Sequence, residues 1–402
     1  MRLRSIAWAG LAGLVVAALL RSGALGFAAL AASALAALVV TTRRRVFTAF
    51  TFERTLSRRV VPWGSELEVT MSVTNAKLLP LVWMRVRDEW PAGLEPVGFA
   101  LGPVNHRGTR SFIQTISVRW YERLRRHYRV RCVARGLHRF GPVELEAGDP
   151  FGIAGVSRTL EARQEVAVLP RVLDVPGFDL LTGRPLVEET VARSLACDPT
   201  ALRGTRPYRP GDSLRAINWR ATARWGALHT NELDPAALAA VRLLLDVSAL
   251  HAVWEGIDPD RMELLCVVAA SLAAAFAAHG FGVGMAANAR LARDWRTVDI
   301  EPAEGALPEV LETLARVLPY PGRGLGALLA AELADESGGA DCVLVTAALR
   351  PGVRGHLARL REARPTTVVY VGRPTEDEAP LVDIVVPGDF DWRTRDALPL
   401  LA

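Results

Sequence analysis

Three changes in the spacing of apolar residues along this 402-residue chain predict three parts. They are an N-terminal helical hairpin that crosses a membrane (residues 1–45), an antiparallel β-sandwich (46–175), and a basic motif leading into an α/β domain with a mainly parallel, Rossmann-type sheet (176–402). The first observation is a pair of continuous apolar runs. The second is strict polar/apolar alternation broken by prolines and glycines. The third is a succession of short apolar strands and longer helical stretches.

The apolar runs extend from Ile6 to Leu20 and from Ala24 to Val40, with Arg21-Ser22-Gly23 between them. Each is short against the roughly 20 residues that cross a bilayer, and fraying into Leu3 and Thr42 lengthens both. Arg2, Arg4 and the cluster Arg43-Arg44-Arg45 flank the pair, against Arg21 alone in the turn. The positive-inside rule then predicts both ends, and the bulk of the chain, in the cytoplasm. Two alternatives stay open. One is a cleaved signal peptide, with Met1-Arg2-Leu3-Arg4 as its basic region, cleavage near Ser22-Gly23-Ala24 and the second run as a single anchor, which makes the rest extracytoplasmic. The other is a buried helical pair in a soluble protein. A mean hydropathy of +0.19 fits a chain with some surface in lipid.

Period two governs the next part. Glu66 to Asn75 alternates and ends in a turn, as does Phe112 to Val118, and Tyr128 to Val133 repeats the pattern. Pro62, Gly64, Pro80, Pro91, Gly93, Gly102, Pro103, Gly141 and Pro142 punctuate it, as in a sandwich of short strands.

Beyond about Gly177, Val241 to Asp246 reads as a buried strand and Arg261 to His279 as a helix. Strands follow at Phe281 to Ala287 and Trp295 to Ile300, and helices at Pro308 to Leu318 and Leu325 to Ala334. Strands at Cys342 to Thr346, Thr366 to Val371 and Val382 to Val386 enclose a helix near Val353 to Ala363. Such alternation predicts a parallel-dominated sheet covered on both faces.

Composition excludes several functions. Lys77 is the single lysine, so a Walker A phosphate loop and Schiff-base chemistry are both ruled out. Cys132, Cys197, Cys266 and Cys342 are widely scattered, which indicates neither a disulfide scaffold nor a zinc site. No His-Glu-x-x-His and no Gly-x-Ser-x-Gly occurs. The +5 net charge is too small and diffuse for a nucleic-acid partner. These exclusions predict a protein without cofactor or enzymatic activity.

The positive charge that is concentrated lies at Arg203, Arg206, Arg209, Arg215, Arg220 and Arg224. Arg209-Pro210-Gly211-Asp212 is turn chemistry, and Asp212 can cap a following helix. On that helix Leu214, Ile217, Ala221 and Trp225 share one face, and Arg215, Asn218 and Thr222 another. Arg215 and Trp219, four apart, can stack. The arginines read either as a docking surface for an acidic partner or a phosphate, or as interdomain ion pairs.

The run Gly204 to Gly226 closely resembles the signature of the bacterial domain-of-unknown-function-58 family, in which Tyr208-x-Pro210-Gly211-Asp212 leads into Ile217-x-Trp219. Arg135 to Pro142 and Asp149-Pro150-Phe151-Gly152 resemble that family's preceding motifs. The resemblance implies a von Willebrand factor A-like fold, a place in the bacterial plasma membrane and a protein partner of the MoxR-type AAA+ ATPase class. It brings no enzymatic activity, and so implies a non-enzymatic membrane-anchored scaffold or adaptor. Tyr208, Pro210, Gly211, Asp212, Arg215, Asn218, Trp219, Arg220 and Arg224 are then the candidate partner-binding residues.

A-like domains often hold Mg²⁺ through Asp-x-Ser-x-Ser, a threonine from a Gly-rich loop and a later Asp. Here the matching run is Asp246-Val247-Ser248-Ala249-Leu250, the loop is Gly322-Arg323-Gly324-Leu325-Gly326, and Thr346 is followed by Ala347. Only Asp246 and Ser248 keep ligand oxygens, so the site reads as degenerate, with no tight divalent ion expected. Two other functions remain as alternatives. One is a metal-assisted hydrolase around Asp246, Asp212 and His229, and the other an extracytoplasmic interaction protein.

Overall fold

The computed structural model describes residues 3–149, 155–182, 202–207, 218–233, 240–248, 258–293, 297–335 and 340–402. The chain divides into two compact units, Met1–Val168 and Leu169–Ala402. The division falls a little before the expected boundary at residue 175, because the segment leaving the sandwich bonds to the second unit. Leu173 N donates to Ser271 Oγ (2.9 Å), and Asp174 N to Asp396 O (2.9 Å).

The first unit opens with two apolar helices, α1 (Leu3–Leu19) and α2 (Gly23–Arg45), which pack against each other. Ser22 caps α2, and small residues allow the close approach: a Cβ added at Gly13 would lie 2.9 Å from Ala29 Cβ. Among the described residues, α2 is long and apolar enough to cross a membrane, and none of its apolar window is buried. The helix ends in Arg43, Arg44 and Arg45, after which Val46 enters the core of the sandwich.

Among the described residues that sandwich contains eleven strands. They are β1 (Phe50–Leu56), β2 (Val60–Val61), β3 (Glu66–Asn75), β4 (Leu81–Pro91), β5 (Leu94–Val97), β6 (Thr109–Val118), β7 (Glu122–Cys132), β8 (Gly136–Phe140), β9 (Val143–Gly148), β10 (Gly155–Leu160) and β11 (Gln164–Val168). Two four-stranded antiparallel sheets, β1-β3-β7-β5 and β10-β9-β4-β6, bury one core, and β2-β11-β8 forms a small third sheet. The alternation in β3 is realised except at Ser72, which is buried between Met71 and Val73. Leu67, Val69, Met71 and Val73 point inward, while Glu66 and Glu68 face solvent. Trp90 is fully buried among Phe99, Phe112, Tyr128 and Phe140. Beside it Arg54 and Asp88 form a buried ion pair (2.5 Å), and Trp90 Nε1 donates to Asp88 Oδ2 (2.8 Å).

The second unit begins with a short helix, α3 (Phe178–Thr182). An antiparallel ribbon, β12 (Leu202–Pro207) with β13 (His229–Leu233), brackets helix α4 (Trp219–Trp225). The larger sheet comprises β14 (Ala240–Leu245), β15 (Gly282–Leu291), β16 (Thr297–Ala303), β17 (Val317–Pro321), β18 (Asp341–Thr346), β19 (Thr366–Val371) and β20 (Ile384–Val386), in the order β16-β15-β14-β18-β19-β20. Its helices are α5 (Pro259–Ala278), α6 (Leu307–Arg316), α7 (Leu325–Ala334) and α8 (Arg354–Ala363). Pairings from β15 through β20 are parallel, whereas β16 and β17 both run antiparallel to β15.

Leu318, expected in a helix, lies in β17, because α6 stops at Arg316 and the chain turns back to bond the long end of β15. Leu244, Leu344, Val368 and Tyr370 pack on α7 and α8. The opposite face meets α5, which contacts β14, β15, β18 and β19. Helix α5 also has the length and composition of a membrane span, but two-thirds of its apolar window is buried. It is a core helix.

Candidate functional site

Two groups of sequence-predicted residues can be followed in the second unit. Tyr208, Pro210, Gly211, Asp212 and Arg215 lie outside the described residues, and so does the turn that Asp212 was expected to cap. Asn218, Trp219, Arg220 and Arg224 sit on or beside α4.

Helix α4 is built locally. Asn218 is its N-cap, with extended backbone, and its side-chain oxygen accepts from Ala221 N (2.9 Å). Gly226 ends the helix at φ +66°, a left-handed conformation that favours glycine, and its N–H returns to Thr222 O. Two bonds seat the helix on the ribbon: Asn218 N donates to His229 O (2.8 Å), and His229 N to Thr222 Oγ1 (3.1 Å). Asn218 is therefore a structural cap as well as a signature residue.

The apolar face expected to hold Trp225 is not buried among the described residues. Trp225 and Trp219 are each 69 % exposed, and Arg220 and Arg224 are exposed beside them. Trp225 stacks on the His229 ring at 6.3 Å. The other ring contact of His229 is local, since Nδ1 lies 2.9 Å from Ala227 O and so carries the proton donated to it.

The second group lies at the carboxyl ends of β14 and β18. Asp246 is fully buried, and its carboxylate accepts from Ser248 N (2.9 Å) and Asn288 Nδ2 (2.6 Å) on Oδ1 and from Thr346 Oγ1 (2.8 Å) on Oδ2, with the Ser248 hydroxyl as a further partner. Asn288 is oriented by Val247 N, which donates to its Oδ1 (2.8 Å). Its backbone oxygen accepts from Gly322 N (2.6 Å), bringing the Gly-rich loop alongside. Leu325 of that loop is buried at the start of α7, so it offers nothing to the crevice.

Burial pushes the Asp246 pKa above the usual aspartate range, and the bonds from Ser248, Thr346 and Asn288 pull it back. Thr346 Oγ1 also lies 3.1 Å from Ala348 O. A protonated Asp246 can donate to Thr346, whose own hydroxyl then turns to Ala348, so the site can take up one proton with its heavy atoms in place.

These groups do not fit a divalent cation. An amide N–H₂ occupies Asp246 Oδ1 and reaches within 3.4 Å of Ser248 Oγ, where a metal needs free oxygen lone pairs. Among the described residues no three His, Cys, Asp or Glu side chains gather as a metal cluster. Asn288 and Thr346 escaped the sequence reading as partners of Asp246. The signal was present in Asn288, a single amide inside the apolar strand Val283 to Ala289.

Comparison with known proteins supports the resemblance. Residues 204–390 match the family described as Protein of unknown function DUF58. The uncharacterized protein YeaD of Bacillus subtilis (strain 168) is 24 % identical over 241 residues, which is 59 % of this chain and 55 % of that protein. The chain thus spans about half the length of that relative. Two solved structures align over less of the chain. The CARDB domain of a Pyrococcus furiosus protein, in complex with di-metal ions, is 15 % identical, covers 30 % of this chain and 91 % of that one, and has a TM-score of 0.20. A cohesin module from a Clostridium perfringens glycoside hydrolase is 14 % identical, covers 29 % and 96 %, and has a TM-score of 0.21. Superpositions this shallow carry no argument.

Proposed function

We propose, from the premise that this chain carries a DUF58 domain over residues 204–390, that it is a non-enzymatic, membrane-anchored adaptor whose α4 region docks a protein partner. The observation that carries this reading is the pair Trp219 and Trp225, two large aromatic rings left in solvent on one short helix with Arg220 and Arg224. Tryptophan and arginine dominate the energetics of protein interfaces, and exposed tryptophans beside arginines match a partner with apolar pockets rimmed by carboxylates. The family resemblance suggests a MoxR-type AAA+ ATPase.

Anchoring is assigned to α1 and α2 as a transmembrane hairpin. At ~1.5 Å per residue α2 is about 34 Å long, against ~30 Å of hydrocarbon, so Arg43 to Arg45 reach the headgroups. Their cluster argues for a cytoplasmic exit. An A-like fold for the second unit is supported by its parallel strand order, with helices on both faces and a polar crevice at the carboxyl ends. The donor set around Asp246 supports a crevice that works without a divalent ion.

The experiment is affinity capture of the full-length protein from detergent-solubilised native membranes, with bound proteins identified by mass spectrometry. An AAA+ ATPase recovered with the wild type and lost with Trp219→Ala/Trp225→Ala supports the reading. Equal recovery with that variant removes α4 as the docking surface.

A further inference from the structure

The sandwich carries an exposed apolar patch of its own, and the strand directions fix its location. Strand β1 leaves α2 after Val46 to Ala49. Its first residue, Phe50, pairs with Asn75 at the end of β3, which in turn pairs with Glu122 at the start of β7. Leu81, at the start of β4, pairs with Val118 at the end of β6. The connections 76–80 and 119–121 therefore emerge together, beside the point where α2 ends.

Hydrogen bonds tie them there. Lys77 Nζ donates to Val46 O (2.7 Å), Ala76 N to Ala49 O (2.9 Å) and Tyr121 N to Lys77 O (3.3 Å). Asn75 Nδ2 donates to both Leu79 O and Arg119 O (2.9 Å each). From this tied base three large side chains project into solvent: Leu78 is 74 % exposed, Tyr121 67 % and Trp120 61 %. Tyr121 holds φ +48°, a left-handed backbone that favours glycine, so a bulky ring is kept where the turn would accept a smaller residue more easily. Arg119 and the cluster Arg43 to Arg45 are exposed at the same end.

We propose that Leu78, Trp120 and Tyr121 form an interfacial anchor that inserts into the headgroup region of the bilayer holding α2, with Arg119 and Arg43 to Arg45 meeting anionic headgroups. Tryptophan and tyrosine favour that layer because their rings are apolar at one end and polar at the other. Juxtamembrane arginines are attracted to an anionic leaflet. Continuity with α2 selects this occupant: the patch begins within a few residues of the helix that enters the lipid, and Lys77 is bonded to the chain leaving it. The inference rests on the reading of α2 as a membrane span.

The test uses the full chain in vesicles of phosphatidylethanolamine and phosphatidylglycerol, with Cys197→Ser as background. Cys132, Cys266 and Cys342 are buried, and burial pushes the thiols of Cys132 and Cys342 up to about 11 and about 12, which keeps them protonated. Nitroxide labels are placed singly through Leu30→Cys in α2, Leu78→Cys, Trp120→Cys and Val104→Cys. Val104 is exposed at the far end of the sandwich, about ten strand residues or ~33 Å away. The expected result is a ratio of oxygen to aqueous nickel-chelate accessibility several-fold higher at 78 and 120 than at 104, with position 30 deepest. Equal ratios at 78, 120 and 104 with position 30 in lipid would overturn the anchor and leave the span standing. A label at position 30 exposed to the chelate would overturn both.

Discussion

In the β-sandwich the buried carboxylate of Asp88 faces the Arg54 guanidinium, at 2.5 and 2.6 Å, whereas in the α/β unit Asp246 is equally buried and is met only by neutral donors. Burial pushes both pKa values up. At Asp88 the Arg54 charge is the main opposing influence, and at Asp246 the hydrogen bonds are. The α/β unit can also use ion pairs: Glu332, at the other end of the sheet, contacts Arg242 (2.7 Å) and Arg364 (2.8 Å). At the carboxyl ends of the strands Asp246 is held instead by neutral hydrogen-bond donors. The two solutions differ in what they tolerate. An ion pair fails when one partner leaves, whereas a carboxyl held by hydroxyl and amide donors can change protonation without stranding a charge.

The largest effect should come from breaking the pair. Arg54→Met leaves Asp88 buried and unpaired, and should destabilise the sandwich by about 3–5 kcal/mol, read as lost amide protection in β3 and β4. Arg54→Met with Asp88→Leu should recover most of it. A single variant within about 1 kcal/mol of wild type would erase the contrast.

Removing a neutral partner should matter less. Asn288→Leu strips a donor from Asp246 and the acceptor of Val247 N, at about 1–3 kcal/mol for each group left unpaired, and Thr346→Val should lie near the lower bound. Denaturant unfolding that reports on the α/β unit measures both.

The pH response of Asp246 should be smaller still. Its folded pKa lies above the unfolded value near ~3.9, so between the two values the folded state binds more protons than the unfolded chain. Stability of the α/β unit should therefore fall as pH rises through that window, by at most about 1.4 kcal/mol per pH unit, and Asp246→Asn should flatten the slope. A slope of the opposite sign would show that the hydrogen bonds outweigh burial.

Trp219→Ala/Trp225→Ala should change stability least, within about 0.5 kcal/mol, because both rings are in solvent. A larger loss in thermal unfolding would mean that these rings are packed in the folded protein.

Much of the local architecture was legible because local periodicity encodes it. The alternation from Glu66 to Asn75 became β3, and Leu325 to Ala334 became α7. The Asp246 crevice was half legible. Asp246 and Ser248 are two residues apart and could be recognised as a run, but Asn288 and Thr346 reach them from 42 and 100 positions away. The cap of α4 was not legible, since Asn218 shares its capping chemistry with many polar residues and only its extended backbone and the bond to Ala221 N identify it, while the expected cap at Asp212 lies outside the described residues.

By itself the sequence determined the order of the parts, the inward and outward faces of the strands, the exclusion of lysine-dependent chemistry and the DUF58 signature. Each of these is carried by residues close together in the chain. Tertiary structure decided that α5, apolar enough for a membrane, is a core helix, and that β16 and β17 run against β15. It also decided that Arg54 answers Asp88 and that Asn288 and Thr346 close over Asp246. Burial, strand direction and the pairing of distant polar groups arise only when remote segments meet, and no local period records which segments those are.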